Sequence, residues 1–337
     1  MSNPVLIELT RGKLVESVHR GAIAVARPGG ELVVSLGDVD RPVYPRSAIK
    51  ALQCLPLIET GAADRFELGP AEIALACASH SGTDRHVAVA GTMLRRAGRK
   101  VSDLGCGAHE PLGEAALRAF LGRGEQATAL HNNCSGKHAG MVCTACHNGE
   151  SVEGYLDAGH PVQGRIIAVM EAFTGQPIGR DAIGFDGCSA PNFAQSLASL
   201  ARAFAAFGAI EGPGKARRAA IERILAACWA EPEMVAGPGR LDTLVMRKFP
   251  RRIFIKTGAE GVYCGALPEL GLGIALKIDD GARRAAEAAL LEVVDRLVPG
   301  ATAAGGGTRA ITNWRGMEVG EMRAAADLAR AVDGLQA

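Results

Sequence analysis

Strand-forming runs crowd both ends of this chain while helical runs fill its middle, and that distribution limits the folds open to it. The first forty residues hold "PVLIEL", "KLVESV", "GAIAVA" and "ELVVSL", parted by turn chemistry at "RG", "HRG" and "RPGG". They read as an antiparallel meander. Strand signals return at "RRIFIKTG", "GVYCGAL" and "GLGIALKID", ahead of an alanine-rich helix over 282–298. Isolated hairpins are marginal in water, so the two blocks are expected to complete one antiparallel sheet backed by that helix. Between them, apolar periodicity predicts helical segments at 47–60, 70–78, 84–97, 113–121, 160–174, 191–209 and 215–229. The expected fold class is α/β. A discontinuous sheet domain of 1–45 and 245–337 joins a mainly helical domain of 46–244, with an active site at their interface. The tail segment "ATAAGGGTRA" reads as a flexible loop, and no repeat of fixed period is found.

With 337 residues, 48% of them hydrophobic, the chain can bury a sizeable core in two lobes. Its 37 basic and 36 acidic side chains nearly balance, and the short basic clusters carry no interleaved aromatics. No nucleic-acid partner is expected. Glu8, Arg11, Lys13 and Glu16 break any apolar run that a secretory peptide would need, and no segment reaches about 18 uncharged apolar residues. The expectation is a cytoplasmic protein with no membrane partner. Nine cysteines, an odd number without a disulfide-scaffold rhythm, suit a reducing compartment where thiols serve packing, metal binding or catalysis.

The chemistry begins at "YPRSAIKALQ", where Ser47 and Lys50 stand three residues apart at the start of a helix and so share a face. A neutral hydroxyl is a poor nucleophile and needs an adjacent base, which a desolvated lysine can supply. Alone, the motif more often marks a helix cap, with Ser47 at the N-cap and Lys50 in solvent. It gains weight from "FIKTGAEG", where Lys256, Thr257 and Gly258 end a strand, in the order seen in penicillin-recognising serine enzymes. Their usual third element, S-D-N, is missing; the corresponding zone reads "ACASHSGTD", with Ser79 and Ser81 closing a helix. Farther on, "HNNCSGKHAGMVCTACHNG" gathers three histidines and three cysteines, which raises a metal site as one possibility. Cys143 and Cys146 lie in a small apolar stretch and read as packed helix thiols.

Taken together, "YPRSAIKALQ", "ACASHSG", "HNNCSGKHAGM", "GFDGCSAPNF" and "KTGAEGVYCGALP" resemble the rhizobial-type L-asparaginase (asparaginase II) family along nearly the whole chain. The resemblance implies a serine β-lactamase/glutaminase-like fold and two Ser–Lys tandems, which map to Ser47 with Lys50 and to Ser79 with Lys256. It implies hydrolysis of L-asparagine to L-aspartate and ammonia through an acyl-enzyme, with Ser47 the favoured nucleophile. It further implies a homodimer and a zinc ion held by Cys134, Lys137 and Cys188. The zinc would position substrate rather than supply the chemistry. A free amino acid presents an ammonium and a carboxylate; Asp186 suits the first, and Arg46 or His138 the second. Two other readings share parts of this pattern. One is a penicillin-recognising hydrolase, and the other is a non-catalytic zinc or thiol protein.

Overall fold

The structure, a computed structural model, describes residues 2–212, 214–304 and 310–335. Ala301–Ala304 form a helical turn, and the rest of the expected flexible loop, through residue 309, lies outside the described residues. Its strands are β1 (Val5–Arg11), β2 (Leu14–Ala26), β3 (Leu32–Leu36), β4 (Ile183–Phe185), β5 (Pro191–Phe193), β6 (Phe254–Thr257), β7 (Val262–Leu267), β8 (Leu272–Ile278), β9 (Ala310–Thr312) and β10 (Glu318–Ala324). The chain divides into two compact units: Met1–Ala48, Gln195–Ala209 and Ile255–Ala337 form the first, Ile49–Ala194 and Ile210–Phe254 the second.

The first unit is built on an eight-stranded sheet in the order β6-β7-β8-β2-β1-β10-β9, with β3 also on β2. Both ends of the chain enter one sheet, as the paired strand blocks predict, and the fold class is α/β. One detail differs. "KLVESV" and "GAIAVA" run on as the single strand β2 through the "HRG" that reads as a turn. Residues before Gly21 pair with β1, and those from Gly21 onward pair with β8. A Cβ on Gly21 would lie 2.3 Å from the Lys277 carbonyl oxygen, so this glycine permits a close approach of strands rather than a reversal. The adjoining His19 is tied to Asp280 at 2.6 Å.

Helices cover this sheet, Ala326–Asp333 on β1 and β3 among them. Arg283–Leu297 packs on β1, β7, β8 and β10, as expected of the alanine-rich run, and Leu197–Gly208 packs on β2, β7 and β8. The latter is shorter than the expected 191–209 segment, because Pro191–Phe193 form a strand instead. Ser196 starts the helix by accepting the Ser199 amide at 3.1 Å.

In the second unit the helix Ser135–His147 is buried from Ser135 through Ala145. Here Pro70–Ala76, Asp84–Arg96 and Pro161–Thr174 surround it. Its polar residues are thereby carried into the interior. Among the described residues no helix is long and apolar enough to cross a membrane.

Candidate active site

Arg46–Ile49 form a tight 3-10 turn that carries Ser47 and continues along the chain into the helix Lys50–Gln53. Arg46, directly before the serine, has φ 52°, a left-handed conformation that a non-glycine residue holds only when its surroundings enforce it. The end of β6 supplies that enforcement. A Cβ on Gly258 would sit 2.6 Å from the Pro45 carbonyl oxygen and 3.3 Å from the Ala48 amide nitrogen, so the Lys-Thr-Gly backbone presses directly on the serine turn. Lys256 is fully buried and its amine donates to the Thr257 carbonyl at 2.9 Å.

In the second unit Lys50 is 0% exposed. Its amine donates to the hydroxyl of Ser79 at 3.0 Å and to the sulfur of Cys134, also at 3.0 Å, with the Ala78 carbonyl as third acceptor. An ammonium has three donors, so all are used. The expected tandem of Ser79 with Lys256 thus finds Ser79 bonded to Lys50. The serine is fixed from behind by its amide, which donates to the Val235 carbonyl at 3.0 Å.

Cys134, Lys137 and Cys188 come together, all buried. The Lys137 amine lies 3.2 Å from the Cys188 sulfur. A hydrogen bond from Cys188, followed by the positive charges of Lys50 and Lys137, holds the Cys134 thiol well below its usual range despite burial. The same shared hydrogen bond, with burial, pushes Cys188 up. Burial works against the Lys137 charge, but Cys188, Cys134 and Asp186 outweigh it and raise its pKa. One thiolate, one thiol and one ammonium in contact would suit a divalent ion such as zinc once the thiol and the ammonium give up their protons to make room for it. Among the described residues no cluster of three histidine, cysteine or carboxylate side chains is arranged to hold a metal, so any zinc here depends on the amine as third ligand.

His138, next along the helix, is fully buried; burial, then Lys137 and Lys50, hold its imidazole well below the usual range and therefore neutral. Its Nδ1 lies 2.6 Å from the Tyr155 hydroxyl, which also accepts the Gly105 amide at 2.8 Å. We assign the hydroxyl hydrogen to Nδ1, which puts the ring hydrogen on Nε2. That Nε2 is buried with no hydrogen-bond partner among the described residues. By contrast His80 uses both nitrogens: Nδ1 accepts from the Gly82 amide at 3.1 Å and Nε2 donates to Ser135 at 2.9 Å. His86 does the same with Thr83 and the Glu233 carbonyl, and stacks on His80 at 4.8 Å.

Asp186 opens a tight loop in which its amide donates to the Ala190 carbonyl at 2.9 Å and its carbonyl accepts from Ser189 at 2.8 Å. Ser189, just after Cys188, has φ 65°. Asn192 on β5 donates its amide to the Asp186 carboxylate at 3.2 Å. Tyr155 and Asn192 escape the sequence reading because neither stands in a repeat or at a chemical spacing. Asn192 does fall inside the motif "GFDGCSAPNF". Of the two remaining thiols singled out above, Cys143 is pushed up to about 12 by burial, and Cys146 accepts from the Arg99 guanidinium at 3.0 Å.

In the second unit a buried lysine is bonded to a serine, and in the first a Lys-Thr-Gly strand packs on another serine's turn. The chain belongs to the L-asparaginase II family, whose model matches residues 7–324, and it is an enzyme of the amidohydrolase type. No curated protein matches it. Solved structures similar to it include a candidate β-lactamase from Bacteroides dorei, at 14% identity over 77% of this chain and 84% of that one, with TM-score 0.41. A D-alanine carboxypeptidase AmpC from Burkholderia cenocepacia matches at 14% identity over 79% and 91%, TM-score 0.39. A β-lactamase from Mycobacterium bovis matches at 14% over 84% and 93%, TM-score 0.37.

Proposed function

We propose that this protein is an L-asparaginase that hydrolyses L-asparagine to L-aspartate and ammonia through an acyl-enzyme. The observation that carries the reading is the buried Lys50 amine donating to Ser79 beside the Cys134–Cys188 pair. Ser47 attacks the side-chain amide carbon, and its oxygen forms the new C–O bond as its proton passes to Lys50. To act as that base Lys50 must first lose one of the three protons it donates at rest, so it is the neutral amine that accepts the serine proton. Ser79, already bonded to Lys50, relays a proton to the amide nitrogen with help from Lys256, the C–N bond breaks, and ammonia leaves. Water then cleaves the ester and releases aspartate. Asp186 receives the substrate ammonium. His138 offers its Nε2–H to the carboxylate, as does Arg46 its guanidinium. Cys134, Lys137 and Cys188 would hold zinc, which supplies charge that orders the substrate-binding residues. By resemblance to its family the enzyme works as a cytoplasmic homodimer.

The test is ammonia release from L-asparagine and L-glutamine, with penicillin hydrolysis as a control, on wild type, Ser47→Ala and Ser79→Ala, each with and without a chelator. Wild type should release ammonia from asparagine and leave penicillin intact, and each serine variant should lose about 10³-fold or more in kcat. Chelation should raise KM more than it lowers kcat. Full activity in both serine variants, or none in wild type, would refute the assignment.

A further inference from the structure

We propose that Asn192 is a substrate-recognition residue, its side-chain carbonyl oxygen joining Asp186 as a second acceptor for the α-ammonium of the amino-acid substrate. The inference rests on the reading of Asp186 as the ammonium's partner. Asn192 lies at the centre of β5, paired in register with Gly184, and is 2% exposed. Its Nδ2 sits 3.2 Å from Asp186 Oδ1. A carboxylate accepts and cannot donate, so chemistry decides which end of the carboxamide faces Asp186: it must be the nitrogen. The carbonyl oxygen is then the other end, and it is buried with no hydrogen-bond partner among the described residues.

Buried acceptors left unmatched are uncommon and call for an explanation. A substrate ammonium supplies one. It carries three N–H donors, more than a single carboxylate oxygen can satisfy, and Asn192 holds its acceptor a carboxamide's width from the carboxylate it orients. The loop between them, Asp186–Ala190, is locked by two backbone hydrogen bonds and carries Cys188, so the pair is anchored beside the thiol and amine cluster. A neutral amide adds an acceptor without a second negative charge next to Asp186. That arrangement favours a zwitterionic amino acid over a dicarboxylate lacking the amine.

The experiment is calorimetric binding of L-aspartate and of succinate, the same diacid without the amine, to wild type, Asn192→Leu and Asn192→Ser. Ammonia release from asparagine is measured on the same preparations. Wild type should prefer aspartate. In Asn192→Leu aspartate affinity should fall about 10- to 100-fold, the range for a hydrogen bond to a charged group, while succinate changes less than about 3-fold. Asn192→Ser, whose hydroxyl can still accept, should fall between, and it carries the comparison if the leucine variant does not fold. Equal losses for both ligands in folded variants, no loss for either, or a wild type without preference would overturn the proposal. A wild type that prefers aspartate yet releases no ammonia would overturn the reaction and leave this recognition standing.

Discussion

Tyr155→Phe removes a single oxygen, and the consequences of losing it can be worked out bond by bond. That oxygen accepts from the Gly105 amide and donates to His138 Nδ1. Gly105 and Tyr155 both line a surface groove of about 610 Å³, so water can replace the hydroxyl at the Gly105 amide and that loss is small. The Nδ1 of His138 is wholly buried, and leaving it unmatched costs about 1–3 kcal/mol. A net loss of about 2 kcal/mol corresponds to a melting temperature lower by about 3 °C in a protein of this size, and the variant still folds. Catalysis should respond through the other ring nitrogen. Without the tyrosine fixing the tautomer, Nε2 carries the hydrogen only part of the time, so KM for asparagine should rise about 10-fold while kcat stays within about 3-fold. Nitrogen-15 NMR of the histidine rings reads the tautomer directly. It should show a proton on Nε2 of His138 in wild type and a mixture in the variant. A wild-type ring protonated at Nδ1, or a lowered melting temperature with KM unchanged, would refute the reasoning.

Two other outcomes follow from the same geometry. Gly258→Ala puts a methyl group against the Pro45 carbonyl and must displace the serine turn; it should cost about 10²-fold in kcat while circular dichroism stays native, and unchanged kinetics would show that the turn is not held there. His86 is kept neutral chiefly by burial, so its folded pKa lies below the ordinary value of about 6.5. The unfolded chain therefore binds the proton first as pH falls. The contribution of this residue to stability is complete above about pH 6.5 and is lost below it, at up to about 1.4 kcal/mol per pH unit. Urea midpoints between pH 8 and pH 5 should decline less in His86→Gln than in wild type, and parallel declines would count against it.

What the sequence discloses follows the range over which each signal acts. The Ser47 turn and the Lys-Thr-Gly strand are legible because short spacings encode them, and the joining of both chain ends in one sheet follows from the placement of apolar runs. The bond between Lys50 and Ser79 is not legible, because only tertiary packing decides which acceptor a buried amine meets. The same holds for Tyr155 against His138 and for Asn192 against Asp186. Gly21 misleads because a glycine needed for close strand approach looks like one needed for a turn. β10 gives little signal. Its residues are half exposed and charged, so the period-2 apolar pattern is faint.

Pairing β1 with β10 and β2 with β8 also has a consequence for how the chain is made. The opening hairpin leaves the ribosome long before its neighbours exist, while every residue of the second unit is already available to fold. At roughly 5–20 residues per second the wait is on the order of tens of seconds, during which β2 offers an open edge to any passing strand. That edge is the apolar half from Gly21 to Ala26, which carries no charge to turn a wrong partner away, whereas Glu16 and Arg20 stand exposed on the half that β1 already covers.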